Sequence, residues 1–350
     1  MRTTFKKIAL LAVSISFFMV SCSSDDDSVA TSQGVFDNGI FITNEGNSAL
    51  STASISFISE NGTVEQDIFR AVNPNAEELG TYLQDMFFDD TRAFIISGSA
   101  NKITVVDRYT FQYIATISTN INNPRYGVVE NGKAFIVNQA DWSTGADDYV
   151  TVVNLSNYTT SSIALEVSSD HIIKANGKVY VSNGYYGSGN SVSVINPATN
   201  TIETVIDLGA GNSPSSLQEK NGVIYVLAGN EIFKINTADN QVTGSIVIPT
   251  AIDFPSNLRI ADSKIYFTGN STSVYATELN ASTVSSTAIL SYTSTSAYGP
   301  MYGFAVNNDK IYISDGGDFA SDSNAYVYST SGSLLNTYTV GVGPNGFYFN

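Results

Sequence analysis

Apolar and polar residues alternate along most of this chain in short runs, and the runs recur as a unit. Asn176 to Asn183 (NGKVYVSN) shows it most plainly: a tight turn, alternating apolar residues and a polar stop. Ser191 to Asn196 (SVSVIN) alternates again, and Thr201 to Leu208 gives a third run. A period of two predicts half-buried strands. The frame returns seven times around an aromatic anchor: Phe41, Phe94, Phe135, Tyr180, Tyr225, Tyr266 and Tyr312. Successive anchors are 53, 41, 45, 45, 41 and 46 residues apart. Repetition at this interval, with only strands inside each unit, predicts an all-β, seven-bladed β-propeller with one four-stranded blade per repeat.

The first repeat begins at Gly39 to Asn44, which matches the second strand of later blades, and continues with strands at Ala53 to Ile58 and Thr63 to Phe69. Its missing inner strand stands at the other end, as Pro344 to Asn350. That segment aligns with Pro124 to Glu130, Pro214 to Lys220, Pro255 to Ala261 and Pro300 to Val306, each of which opens a blade. Pairing it with the N-terminal strands closes the ring and removes two exposed sheet edges. One short helix is expected in a blade link, over Asn75 to Leu83, with Glu77 and Glu78 near its start.

Connection lengths separate the two faces. Turns from first to second strand are short: Asn131-Gly132, Asn176-Gly177, Asn221-Gly222, Asp262-Ser263 and Asn308-Asp309. Such pairs favour the positive φ of tight hairpins. Loops from second to third strand and links between blades are irregular, and in an up-and-down blade both emerge on one face. Binding residues concentrate on such loops. The candidate ligand-binding residues are therefore Asn44, Arg125, Tyr126, Asn138, Trp142, Asn183, Tyr185, Tyr186, Tyr298 and Tyr302, with the sole histidine, His171, and Asn257 nearby. Amides and aromatic rings around a central channel suit a neutral organic ligand with apolar faces and polar edges.

Composition agrees with strands: 20 Tyr and 19 Phe against one Trp. The formal net charge is -16. Without the first 21 residues, which hold Arg2, Lys6, Lys7 and no acid, 13 basic residues face 32 acidic ones, a net of -19. Such a surface repels nucleic acid and anionic lipid headgroups. The N-terminus divides the chain further. Residues 1–21 read as a lipoprotein signal peptide, with a basic start, an apolar run from Ile8 to Val20, and Met19-Val20-Ser21-Cys22 resembling a bacterial lipobox. Cys22, the only cysteine, is the expected lipid attachment site, so the membrane is touched through a lipid anchor alone and no internal disulfide forms. Residues 22–35, with Asp25 to Asp27 behind the cysteine, read as an acidic flexible tether, and 36–350 as the propeller. The acidic segment is similar to the signal that sends Bacteroidetes lipoproteins to the outer face of the outer membrane.

Catalytic chemistry finds little support. One histidine and one remote cysteine make no nucleophilic constellation, and the acid pairs Glu77-Glu78, Asp89-Asp90 and Asp147-Asp148 read as solvated loop residues. No cofactor is implied and no transition-metal site is expected. Asp315, Asp318 and Asp322 offer oxygens of the kind calcium takes, at a spacing that fits no EF-hand loop.

Asn44 to Asn47 (NEGN), Leu79 to Met86 (LGTYLQDM), Asn101 to Phe111 (NKITVVDRYTF) and Asn123 to Tyr126 (NPRY) together resemble segments of the YncE-like propeller lipoproteins of Bacteroidetes. The resemblance spans the mature chain and its most specific motifs lie in the first half. It implies a surface lipoprotein that binds a small nutrient, with cobalamin or another corrinoid the named candidate, and hands it to a TonB-dependent outer-membrane receptor. The other open reading is a protein-interaction platform or adhesin without enzymatic activity. A lactonase- or lyase-like propeller enzyme fits poorly, because its inward His and acidic groups are missing from the inner strands.

Overall fold

Seven four-stranded antiparallel sheets stand as blades around a central channel in the computed structural model, which describes residues 33–47, 49, 52–294 and 296–350. The signal segment, Cys22 and Asp25 to Asp27 lie outside the described residues, and Gln33–Asn350 form one compact unit. Each anchor sits on the second strand of its blade, from Gly39–Asn44 through Lys178–Asn183 to Lys310–Ser314. All seven are buried, with at most 6% exposure. Most second and third strands are buried along nearly their whole length, polar positions included, because neighbouring blades cover both of their faces. Fourth strands such as Gln241–Val247 form the wet outer edge. The core lies between adjacent sheets: one cluster joins Phe94 and Ile96 of the second blade to Ala134, Ile136 and Val153 of the third.

Ring closure takes the expected form. Pro344–Phe349 pairs antiparallel with Gly39–Asn44, Tyr348 opposite Phe41 and Phe347 opposite Ile42. The short turns carry positive φ at both residues in Asn131-Gly132, Asn176-Gly177, Asn221-Gly222 and Asn308-Asp309. At Asp262-Ser263 only the aspartate does.

Two expectations about the first blade and its link are corrected. Thr63 to Phe69 is not one strand: pairing is confined to Val64–Glu65, and Asp67 turns into the left-handed region at φ 48°. A helix over Ile68–Val72 then tucks Ile68 and Phe69 against Phe36, Phe41 and Phe111. The helix expected over Asn75 to Leu83 does not form. Its Glu77 and Glu78 instead reach Lys102 and Arg70.

Candidate functional site in the central channel

The inner strands share a local fault that shapes the site. In six of the seven blades the register between the inner strand and its neighbour slips by one residue near the loop face, leaving an extra inner-strand residue. Only Gly303–Asn307 pairs without a slip. A bulge bends its strand and re-aims side chains. The displaced segments hold Gln84, Arg125-Tyr126, Asp170-His171, Ser215, Asn257-Leu258 and Asn345. They therefore deliver much of the polar chemistry of the channel.

That channel is a cavity of about 690 Å³ running from the loop face down between the inner strands. All seven blades contribute, among them Glu45, Gln84, Arg125, His171, Gln218, Arg259 and Tyr302. One wall is a continuous network. Arg125 donates from Nε to Asp170 Oδ1 (2.7 Å) and from Nη1 to Gln84 Oε1 (2.7 Å), and Gln84 Nε2 donates to the Tyr126 hydroxyl (3.1 Å). The Tyr126 ring stacks on His171 with centroids 4.0 Å apart, while Arg125 lies over the Tyr185 ring at 4.9 Å. His171 Nδ1 stands 2.9 Å from Asp170 Oδ2.

Electrostatics follow from burial. It disfavours charge on Asp170, yet Arg125 and His171 beside it hold the carboxyl below its usual range. Burial likewise opposes the Arg125 charge, and Asp170 more than restores it. Asp85 lacks such a partner: burial pushes its pKa up to about 6, against hydrogen bonds from the Gly127 N–H and the Tyr348 hydroxyl, both 3.0 Å. Glu45 is also raised by burial, although the Tyr302 hydroxyl donates to it. Gly127 must be glycine here, because a Cβ would stand 2.2 Å from the Phe87 ring.

Four of the sequence candidates, Arg125, Tyr126, Tyr185 and Tyr302, line the channel together. Tyr186 shares the Tyr185–Gly187 turn, and its side chain lies outside the described set. Asn44, Asn138 and Asn183 do not reach the channel. Each ends a second strand, is fully buried, and turns its amide onto the third strand: Asn44 to Ser54 and Ser56, Asn138 to Thr151, Asn183 to Ser191 and Ser193. Buried amides seek partners, and adjacent hydroxyls supply them. Trp142 and Tyr298 are 77% and 89% exposed on the loop face and are absent from the channel lining. The pattern missed Asp85, Gln218, Arg259 and Tyr348, which lie deeper on the inner strands. Alignment of the blade-opening segments would have found Arg259, since it is an arginine at the fifth place of Pro255 to Ala261, where Val128, Gln218, Phe304 and Tyr348 stand in the others. In the Asp315 loop, Asp315 accepts the Tyr292 hydroxyl and Asp318 caps Ala320 and Ser321; among the described residues no three acidic, histidine or cysteine side chains converge as a cation would require.

A family model described as a domain of unknown function, DUF5074, matches residues 38–313. The chain belongs to this family. Among solved structures, this DUF5074 chain is similar to a quinonprotein alcohol dehydrogenase-like protein from Bacteroides thetaiotaomicron, at 15% identity and a TM-score of 0.63 over 90% of this chain and 78% of that one. A functionally unknown protein from Desulfotomaculum acetoxidans gives 14% and 0.66, over 89% and 99%. Virginiamycin B lyase from Staphylococcus aureus gives 14% and 0.60, over 76% and 87%. At these identities the likeness concerns the propeller fold. No curated protein matches.

Proposed function

We propose that this DUF5074 propeller captures a small organic molecule in its central channel and acts as a binding protein, not a catalyst. The channel itself carries the reading. Its volume of about 690 Å³ lies within the range of small-molecule sites, and its mouth offers tyrosine faces from Tyr126, Tyr185 and Tyr302 beside amides from Gln84, Asn123 and Asn257. The scaffold is rigid, so little ordering opposes binding.

The finer reading joins this site to the N-terminal signals. Lipid on Cys22 holds the protein to the outer membrane, facing the exterior, and the ligand passes to a TonB-dependent receptor. Cobalamin or another corrinoid is the leading candidate, because a broad ring bordered by amides matches aromatic walls with amide partners. It would lie across the mouth with one edge in the channel. Calorimetry with cobalamin tests this: the expected result is tight binding, weakened at least tenfold by Tyr126→Ala and unchanged by Asn221→Ala in a short turn of the opposite face. An absence of heat with every corrinoid overturns the corrinoid assignment. Trp142, Phe254 and Tyr298, at 77%, 84% and 89% exposure on the loop face, favour a second reading in which this face docks a partner protein. Their alanine variants then lose partner association and keep ligand affinity.

A further inference from the structure

We propose that Arg259 anchors an oxyanion subsite inside the channel, so that the ligand taken there carries a carboxylate or a phosphate group. This deepens the capture reading and rests on the channel being the ligand site.

Opposite the seven blade anchors, the inner strands place Phe87, Val128, Ile173, Gln218, Arg259, Ala305 and Tyr348. One position of this ring is charged. A guanidinium carries five N–H donors, and the hydrogen bond of Arg259 runs from Nη1 to the carbonyl of Leu258 in its own strand, at 2.9 Å. Among the described residues no carboxylate forms an ion pair with it, whereas Arg92 and Arg125 each hold one. Its remaining donors belong to a side chain that lines the cavity.

The neighbouring acid, Asp85, attracts Arg259 from beyond ion-pair distance and compensates its charge only in part. Both oxygens of Asp85 are engaged, by Gly127 and Tyr348, and burial already weakens its charge. Burial also pulls Arg259 below the ordinary arginine range. A buried cation that holds no ion pair is costly, and an incoming oxyanion lowers that cost while meeting the planar fork in two parallel hydrogen bonds. A neutral ligand leaves the cost in place. Second donors stand close at hand: the Tyr126 hydroxyl accepts from Gln84, which leaves its own proton to give, and Gln218 shares the Arg259 layer. The acidic exterior, formally -16 for the chain, opposes an anion at long range. At physiological salt that repulsion fades over about 8 Å, so contact inside the channel decides.

Thermal midpoints of the purified protein, measured with sodium phosphate and separately with sodium succinate against sodium chloride at matched ionic strength, test the subsite. We expect one of the two anions to raise the midpoint where chloride does not, and which one does so separates a phosphate from a carboxylate ligand. Arg259→Gln should weaken that effect at least tenfold in anion concentration, Arg259→Lys should keep part of it, and the surface change Arg70→Gln should keep all of it. Without anion, Arg259→Gln should melt no lower than the native protein, since it removes an unpaired cation. No anion-specific shift, or an equal shift in Arg259→Gln, overturns the proposal. Cobalamin separates the two readings: tight cobalamin binding with no Arg259-dependent anion shift overturns the subsite and leaves capture standing. Anion binding that needs Arg259, without corrinoid binding, keeps the subsite and removes the corrinoid.

Discussion

Asn183 shows how a polar side chain can hold a blade together and still look, in the sequence, like a ligand contact. Its amide donates to Ser191 and Ser193 at 3.0 and 2.9 Å, and its oxygen accepts from Ser169. Asn183→Ala strands three hydroxyl partners, so stability should fall by about 1–3 kcal/mol in a denaturant titration while ligand affinity holds. Two buried carboxylates lend the fold a pH dependence. Burial raises Asp85 from 3.8 to about 6 and Asp148 from 3.8 to about 7. A raised acid favours folding fully below its unfolded pKa and loses that contribution as pH climbs through the folded value. Asp85→Asn should therefore remove a decline in thermal midpoint between about pH 4 and 6, and Asp148→Asn one that extends to about pH 7. Sequence alone could not tell an amide turned into the sheet from one turned to the channel. Asn44 and Asn183 end their strands much as Asn123 precedes one, and only the bulge in the following strand decides which groups the channel receives.

At the scale of the element, alternation and turn chemistry carried most of the architecture. The segment Pro344 to Asn350 could be recognised as a displaced inner strand because it aligns with other blade openings. Deleting those seven residues should lower the thermal midpoint sharply, for the first blade loses its inner strand and Asp85 loses the Tyr348 hydroxyl. An unchanged melting curve would speak against closure. The short turns are just as specific. Gly177 sits at φ +70° with open space around it, so Gly177→Val meets no clash but forces a β-branched residue into the left-handed region. That strain should cost about 1–2 kcal/mol and leave the channel untouched. Legibility failed where a short run admits two readings. Ile68 and Phe69 could end a strand or open a helix, and their burial among Phe36, Phe41 and Phe111 selected the helix.

For the whole molecule, a plain turn face and an elaborated loop face follow from connection lengths, whereas the bulges that furnish the channel left no mark in hydrophobic periodicity. If Cys22 anchors the protein as proposed, Cys22→Ser should move it from the membrane fraction to the soluble one, measured by fractionation. Replacing Asp25, Asp26 and Asp27 by alanine should keep it anchored but hide it from antibody on intact cells. Ring closure also sets an order of assembly. Thr43 and Asn345 share a hydrogen bond across 302 residues of sequence, so the first strands are synthesised long before the strand that completes their sheet. Contacts this distant slow folding. Middle blades can form as they emerge, while the first waits with a bare edge. A chain that lacks Pro344–Phe349 leaves Gly39–Asn44 without its inner partner, and it should be cut by protease faster than the closed ring.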